Sequence, residues 1–317
     1  MGYYTDNICG IAVMKDGKTV YEDYHDGFGR NDTMHVASVT KSVMSLLTGI
    51  AIDKGLIRDT DVRVMDFFPE YVPKRGEKTI YEVRLYHLLT MTAPYKFRSE
   101  PWKKVCTSPD WTVAALDLLG GKKGLTGEFR YNTLGIQILG GIIENASGMK
   151  VLDFANEYLF KPLGIPEHRP YGIDTKEGQY EYLVSKSPRG DVWYDAPKGM
   201  VTSGWGLSLS PTDMMKIGQM CLDNGVYGDR IVSQDWIKTM TTPHVRDLGR
   251  SYGYMSFGYL WWIPDKDPDV FAAVGDGGNI IYVNRHKNIA AGITATFRPR
   301  VFDRIDFLEN VILPQIP

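Results

Sequence analysis

Ser38 and Lys41, in the stretch HVASVTKSVMSLLTGIAIDKG, form an S-x-x-K pair at the mouth of an apolar run. If Val39 to Gly49 is helical, residues three apart share one face at about 5–6 Å. That brings the amine within reach of the hydroxyl. Serine is a weak nucleophile that needs an adjacent base, and lysine serves as that base once its pKa falls. Burial lowers it, and so does the positive field at a helix N-terminus. Taken alone, Ser38 reads equally well as a helix N-cap. Ser147 and Lys150 have the same spacing, but Gly148 follows an apolar helical run there and marks a helix stop. That second pair reads as a C-cap and a solvated lysine.

Two further stretches carry candidate chemistry. Tyr131, in GEFRYNTLG, precedes another apolar helical run, and a tyrosine can relay a proton if a cation such as Lys41 lowers its pKa. Gly275-Asp276-Gly277-Gly278-Asn279 lies between two strand-like runs. Glycines there let a substrate backbone approach and expose N–H donors for an oxyanion. Each of the two also has a plain structural reading, a packed phenol and a hairpin turn.

The elements that must position these residues follow from periodicity. ICGIAVMK and KTVYEDY flank Asp16-Gly17, a strong hairpin signal. Helical patterns and polar loops alternate from about residue 60 to 200, and Val151 to Phe160 forms one such helix. Glu167 to Lys198, rich in Gly, Pro and charge, reads as a long loop. Ser210-Pro211-Thr212-Asp213 opens a helix. FGYLWWI, DVFAAVGDGG, NIIYVNR and NIAAGITATF then read as strands, and DRIDFLENVI as a closing helix. Strands at both ends with helices between imply an α/β (α+β) fold. It has one antiparallel sheet flanked by helices, built from both termini, around an inserted mostly helical domain. The expected division is 1–59 and 200–317 for the sheet domain and 60–199 for the insert, with the site at their interface.

Composition narrows the function classes. The 317 residues are 43% hydrophobic and 23% charged, with net charge −2 and pI near 6.3. Nothing there marks a nucleic-acid or anionic-membrane binder. Cys9, Cys106 and Cys221 are too few and too scattered for a disulfide framework and read as reduced thiols. No signal peptide or membrane span is visible, so a cytoplasmic location is expected. The six histidines lack metal-ligand spacing, and His35 and His87 read as structural hydrogen-bonders. G-x-S-x-G is absent.

Taken together, five segments in order resemble the serine β-lactamase and penicillin-binding-protein superfamily. The likeness is closest to the branch holding class C β-lactamases, family VIII carboxylesterases and 6-aminohexanoate-oligomer hydrolases. The segments are ASVTKSVMSLLTGIAIDKGLI, HLLTMTAPY, GEFRYNTLGIQILGGIIENASG, SGWGLSLSPTDMMKIGQMCLDNG and AVGDGGNIIYV. The resemblance spans nearly the whole chain. It implies Ser38 as the acylated nucleophile, Lys41 as its activator and Tyr131 as proton shuttle to the leaving group. It also implies an oxyanion hole from the N–H groups of Ser38 and Asn279, next to Gly277 and Gly278, with no metal and no cofactor. This sequence departs from the pattern at Thr133, where the family usually has Asn, and at Asp276 (or Gly275 with a one-residue slip), where it has Lys or His. Trp205, Tyr95 and Trp193 are further candidates for the pocket wall. The implied activity is acyl-enzyme hydrolysis of a small-molecule ester or amide. The range runs from carboxylesterase and amidase to a weak β-lactamase or D-amino-acid peptidase. A non-catalytic, acylatable sensor is the alternative of another class.

Overall fold

The computed structural model describes residues 5–173, 175–298 and 304–316. Its centre is a seven-stranded antiparallel sheet of strands β1 (Ile8–Lys15), β2 (Lys18–Tyr24), β3 (Met255–Phe257), β4 (Trp262–Pro264), β5 (Val270–Gly275), β6 (Asn279–Asn284) and β7 (Ile289–Ala295). Their spatial order is β3-β4-β5-β6-β7-β1-β2. The first and last parts of the chain therefore meet at the β7–β1 pair, in register from Ile11 opposite Ile293 to Lys15 opposite Ile289. The β1–β2 turn has positive φ at both Asp16 (52°) and Gly17 (72°), as a tight hairpin demands. FGYLWWI is not one strand. A turn through Leu260 (φ 63°) splits it between β3 and β4.

Period-2 alternation makes both sheet faces apolar. Ile280, Tyr282, Ala291 and Ile293 pack on one side against Ile305, Phe307, Leu308 and Ile312 of the closing helical segment. Ile281, Val283 and Ala290 face the other side and join the large core. That core also holds Val43, Leu46, Leu47 and Ile50 of α1 (Val39–Asp53), Ile136, Ile138, Leu139 and Ile143 of α2 (Leu134–Ser147), and Ile217 of α3 (Pro211–Leu222). Ser210 caps α3 in a capping box with Asp213. Helix α1 is buried from Val39 to Ala51, which places its N-terminus inside the molecule.

The stretch from Glu167 to Lys198 is more ordered than its composition suggests. Strands Arg169–Gly172 and Val192–Ala196 pair in parallel there, with a helix over Lys176–Val184 between them. Tyr182, Trp193 and Tyr194 supply the buried surface that holds these elements down. No helix among the described residues is long and apolar enough to cross a membrane.

Candidate active site

Ser38 is the N-cap residue of α1 and follows Ala37, whose φ of 48° is left-handed for a residue with a Cβ. The Ala37 carbonyl accepts from both the N–H and the hydroxyl of Thr40, which holds this turn in place. Lys41, one turn along, is 3% exposed. Its Nζ donates to Ser38 Oγ at 2.8 Å and to the Gly204 carbonyl at 2.7 Å, and lies 5.2 Å from the centre of the Tyr131 ring. Burial lowers its pKa to about 8, against the opposing pull of the Glu100 and Asp276 carboxylates. A useful fraction of the amine is therefore neutral near physiological pH and can take the Ser38 proton along the same 2.8 Å line.

Tyr131 behaves differently from the sequence expectation. Burial raises its pKa, Asp276 and Glu100 add to the rise, and a hydrogen bond with Ser38 works the other way. The phenol therefore keeps its proton at neutral pH and is a proton donor, not a tyrosinate. Its ring stacks on Trp262 with centroids 5.8 Å apart. The turn that carries it is tied by Asn132, which donates to the Arg130 carbonyl at 2.8 Å and accepts from the Gly135 N–H at 2.8 Å. Glu100 Oε1 accepts from the Thr133 and Leu134 N–H groups at 2.7 Å each, fixing the start of α2. Thr133 turns its methyl toward Gly204, where an added Cβ would fall 2.4 Å from Thr133 Cγ2.

The glycine-rich segment has a different register from the one expected. Gly275 is the residue packed on the Ser38 backbone. A Cβ there would lie 2.3 Å from the Val36 carbonyl oxygen, 3.1 Å from Ser38 N and 3.2 Å from Val39 N. Only glycine permits that approach. Asp276 follows it and is exposed. Gly277 and Gly278 complete the β5–β6 turn, and the Gly277 carbonyl accepts from Asn7 Nδ2 at 2.7 Å. Asn279 is 1% exposed and opposite Gly275 in the ladder; its side chain donates to the Asp276 carbonyl and accepts from the Ala295 N–H. It is locked into the sheet, and the residue beside Ser38 comes three or four positions earlier.

The aromatic candidates separate. Trp205 is half-buried and adjoins Gly204, with its ring 4.7 Å from Tyr194, 5.9 Å from His35 and 6.0 Å from Trp102. Trp193 is not a wall residue. It is 0% exposed and its indole N–H donates to the Thr202 carbonyl at 2.8 Å, because it lies on a strand and not on a loop. Tyr95 is also buried, stacked on Phe97, with its hydroxyl against Gly135 behind the Tyr131 turn. Ser147 donates to the Ile143 carbonyl beside the left-handed Gly148, and Lys150 pairs with Glu144, so that S-x-x-K is a helix end. His35 is buried, its pKa lowered to about 3, and its Nε2 accepts from the Gly206 N–H; His87 Nδ1 accepts from the Arg84 N–H. Both are structural. Glu100, Trp262 and the Gly204 carbonyl escaped sequence reading. Glu100 sits in a loop without periodicity, Trp262 reads as core, and a backbone acceptor has no side-chain signature.

Comparison with known proteins gives the family and the fold. The model of the Beta-lactamase family matches residues 9–311. The 6-aminohexanoate-dimer hydrolase of Paenarthrobacter ureafaciens is 23% identical over 297 residues, 86% of this chain and 69% of that protein. The solved penicillin-binding protein from Bacillus halodurans matches with a TM-score of 0.72 at 18% identity, over 96% of this chain and 97% of that one. A family VIII carboxylesterase gives 0.67 at 16% identity, over 93% and 88%. At such identities the structural likeness establishes the fold, a mixed α/β architecture of the β-lactamase and penicillin-binding-protein type. The family match extends from β1 through the helices to the closing segment, and with it the chain belongs to the beta-lactamase family.

Proposed function

We propose that this protein is a serine hydrolase that cleaves a small ester or amide through an acyl-enzyme on Ser38. The observation that carries the reading is the 2.8 Å contact between the Ser38 hydroxyl and a buried Lys41 whose pKa is brought down to about 8. Neutral Lys41 takes the hydroxyl proton as Ser38 Oγ attacks the carbonyl carbon. The oxyanion that forms is held by the Ser38 N–H and by the N–H of the residue after Gly275, which is Asp276. Tyr131, still protonated, passes its proton to the leaving alcohol or amine and takes one back from Lys41, which returns the amine to its neutral form. Water then attacks the acyl-enzyme, with Lys41 again as base. The likeness to a 6-aminohexanoate-dimer hydrolase and to a family VIII carboxylesterase supports an amide or ester substrate.

The third motif argues against β-lactams. With Gly275 as the glycine of K-T-G, the family's cation falls on Ala273, which is fully buried and uncharged. Arg130 does not replace it, since its guanidinium donates to the Arg98 carbonyl and lies over the Phe97 ring. Asp276 presents a carboxylate instead. Two like charges about 4 Å apart at an effective dielectric near 20 repel by roughly 4 kcal/mol. Even a quarter of that is about five-fold in affinity. The test sets nitrocefin beside a neutral short-chain p-nitrophenyl ester and a p-nitroanilide. Wild type should favour the neutral substrates by orders of magnitude, and Asp276→Lys should gain on nitrocefin. Rapid nitrocefin turnover by wild type would overturn this preference.

A further inference from the structure

A groove of about 1330 Å³ is lined by residues of the 74–79, 93–98 and 117–130 segments and by none of Ser38, Lys41 and Tyr131. Its lining contains eight Lys and Arg residues against three carboxylates, on a chain whose net charge is −2. The imbalance is therefore local, and a concave surface of one sign concentrates counter-charge.

Two of the three acids are already engaged, whereas most of the cations are not. Glu77 accepts from the Ile80 and Gly121 N–H groups and pairs with Lys96 at 3.1 Å. Asp117 accepts from the Tyr71 hydroxyl at 2.8 Å. Glu128 is exposed. Among the described residues, the side chains of Lys74, Arg75, Lys78, Arg98, Lys122 and Lys123 make no hydrogen bond or ion pair, and all six are exposed. They come from three segments held side by side. Thr79 donates to the Gly121 carbonyl at 2.9 Å, joining the first segment to the third. The Lys96 N–H donates to the Leu118 carbonyl at 2.9 Å, joining the second to the third. The positive side chains thus border the groove from more than one side, on a base fixed by backbone bonds.

From this placement we propose that the groove is a second binding site, for a linear phosphate polyanion. A carboxylate is planar and presents its oxygens along one edge. A phosphate group directs acceptor oxygens to several sides at once, as cations on separate segments require. Lysine ammonium groups, four of the six cations, serve as point charges for such a chain.

The experiment titrates the full chain with short-chain inorganic polyphosphate by calorimetry. Binding should weaken roughly tenfold or more as salt rises from about 50 to about 200 mM, the response of a multi-phosphate contact. Lys122→Glu/Lys123→Glu should lose about tenfold or more in affinity while hydrolysis of a neutral p-nitrophenyl ester stays unchanged. Arg75→Glu/Lys78→Glu, on the facing segment, should do the same. A control with Lys161→Glu/Lys238→Glu, exposed lysines outside the groove, should bind as wild type does. Absence of binding at low salt overturns the proposal, as does equal loss in the control variant. Polyglutamate binding as tightly as polyphosphate overturns the assignment to phosphate.

Discussion

Replacing Asp276 by Asn should move the acidic limb of the pH–rate profile to lower pH. Lys41 works as a base only when neutral, so activity rises with pH through its folded-state pKa, about 8. At pH 7 about one tenth of the amine is then unprotonated. The Asp276 carboxylate raises that pKa, and its removal lowers it. A unit charge about 10 Å away at an effective dielectric near 20 is worth roughly 1–2 kcal/mol. Asp276 is exposed, so screening leaves about half a pH unit or less. The ester-hydrolysis rate of Asp276→Asn at pH 7 should rise about two- to threefold relative to its own plateau, and the gain should shrink in high salt. The same shift has a signature in stability. The unfolded chain holds the Lys41 proton up to the ordinary 10.5 and the folded chain only to about 8. Between those values the unfolded state binds more protons, so this group's penalty is full below pH 8 and is relieved as pH rises toward 10.5. The gap corresponds to about 3 kcal/mol. Denaturant titrations from pH 7 to 10 should show wild type gaining on Lys41→Met across that window. Parallel stability curves, or a limb that moves to higher pH in Asp276→Asn, would refute the placement of Lys41 as a buried base.

Two other variants probe the remaining parts. Gly275→Ala forces a methyl to within 2.3 Å of the Val36 carbonyl oxygen and should destabilise by about 1–3 kcal/mol. It should also lower kcat by roughly 10²-fold through displacement of the Ser38 N–H, whereas Asn279→Ala should spare the chemical step; denaturant melts and steady-state kinetics separate the two. Tyr131→Phe should lower kcat on the order of 10²-fold, with a larger loss on anilides than on p-nitrophenyl esters, whose leaving group needs less help from a proton. Combined with Lys41→Ala it should fall well short of the product of the single losses; multiplicative losses would mean the two groups act separately.

The parts of this site that were legible in the sequence are those set by local spacing. Ser38 and Lys41 are one helical turn apart, so their contact follows once α1 forms, and the hairpin at Asp16-Gly17 is equally local. The glycine-rich segment was legible as a site but not in register. Three glycines and an asparagine fit one pattern there, and only the approach of β5 to α1 singles out Gly275. Trp193 was misplaced because Gly, Pro and charge around it suggested a loop, while Tyr182, Tyr194 and its own indole supply a core. Glu100 is 31 residues before Tyr131 in a loop without periodicity, and its role as a cap for α2 depends on tertiary contact alone. The direction of the Tyr131 pKa was also out of reach, since it turns on burial outweighing the hydrogen bond with Ser38.

The most direct test of the central claim is intact-mass analysis after a fluorophosphonate or a slowly deacylating ester, with the modified peptide then sequenced. The account predicts one adduct, located on Ser38, absent from Ser38→Ala, retained in Ser147→Ala and slowed in Lys41→Ala. An adduct on another residue, or undiminished ester turnover by Ser38→Ala, would contradict it.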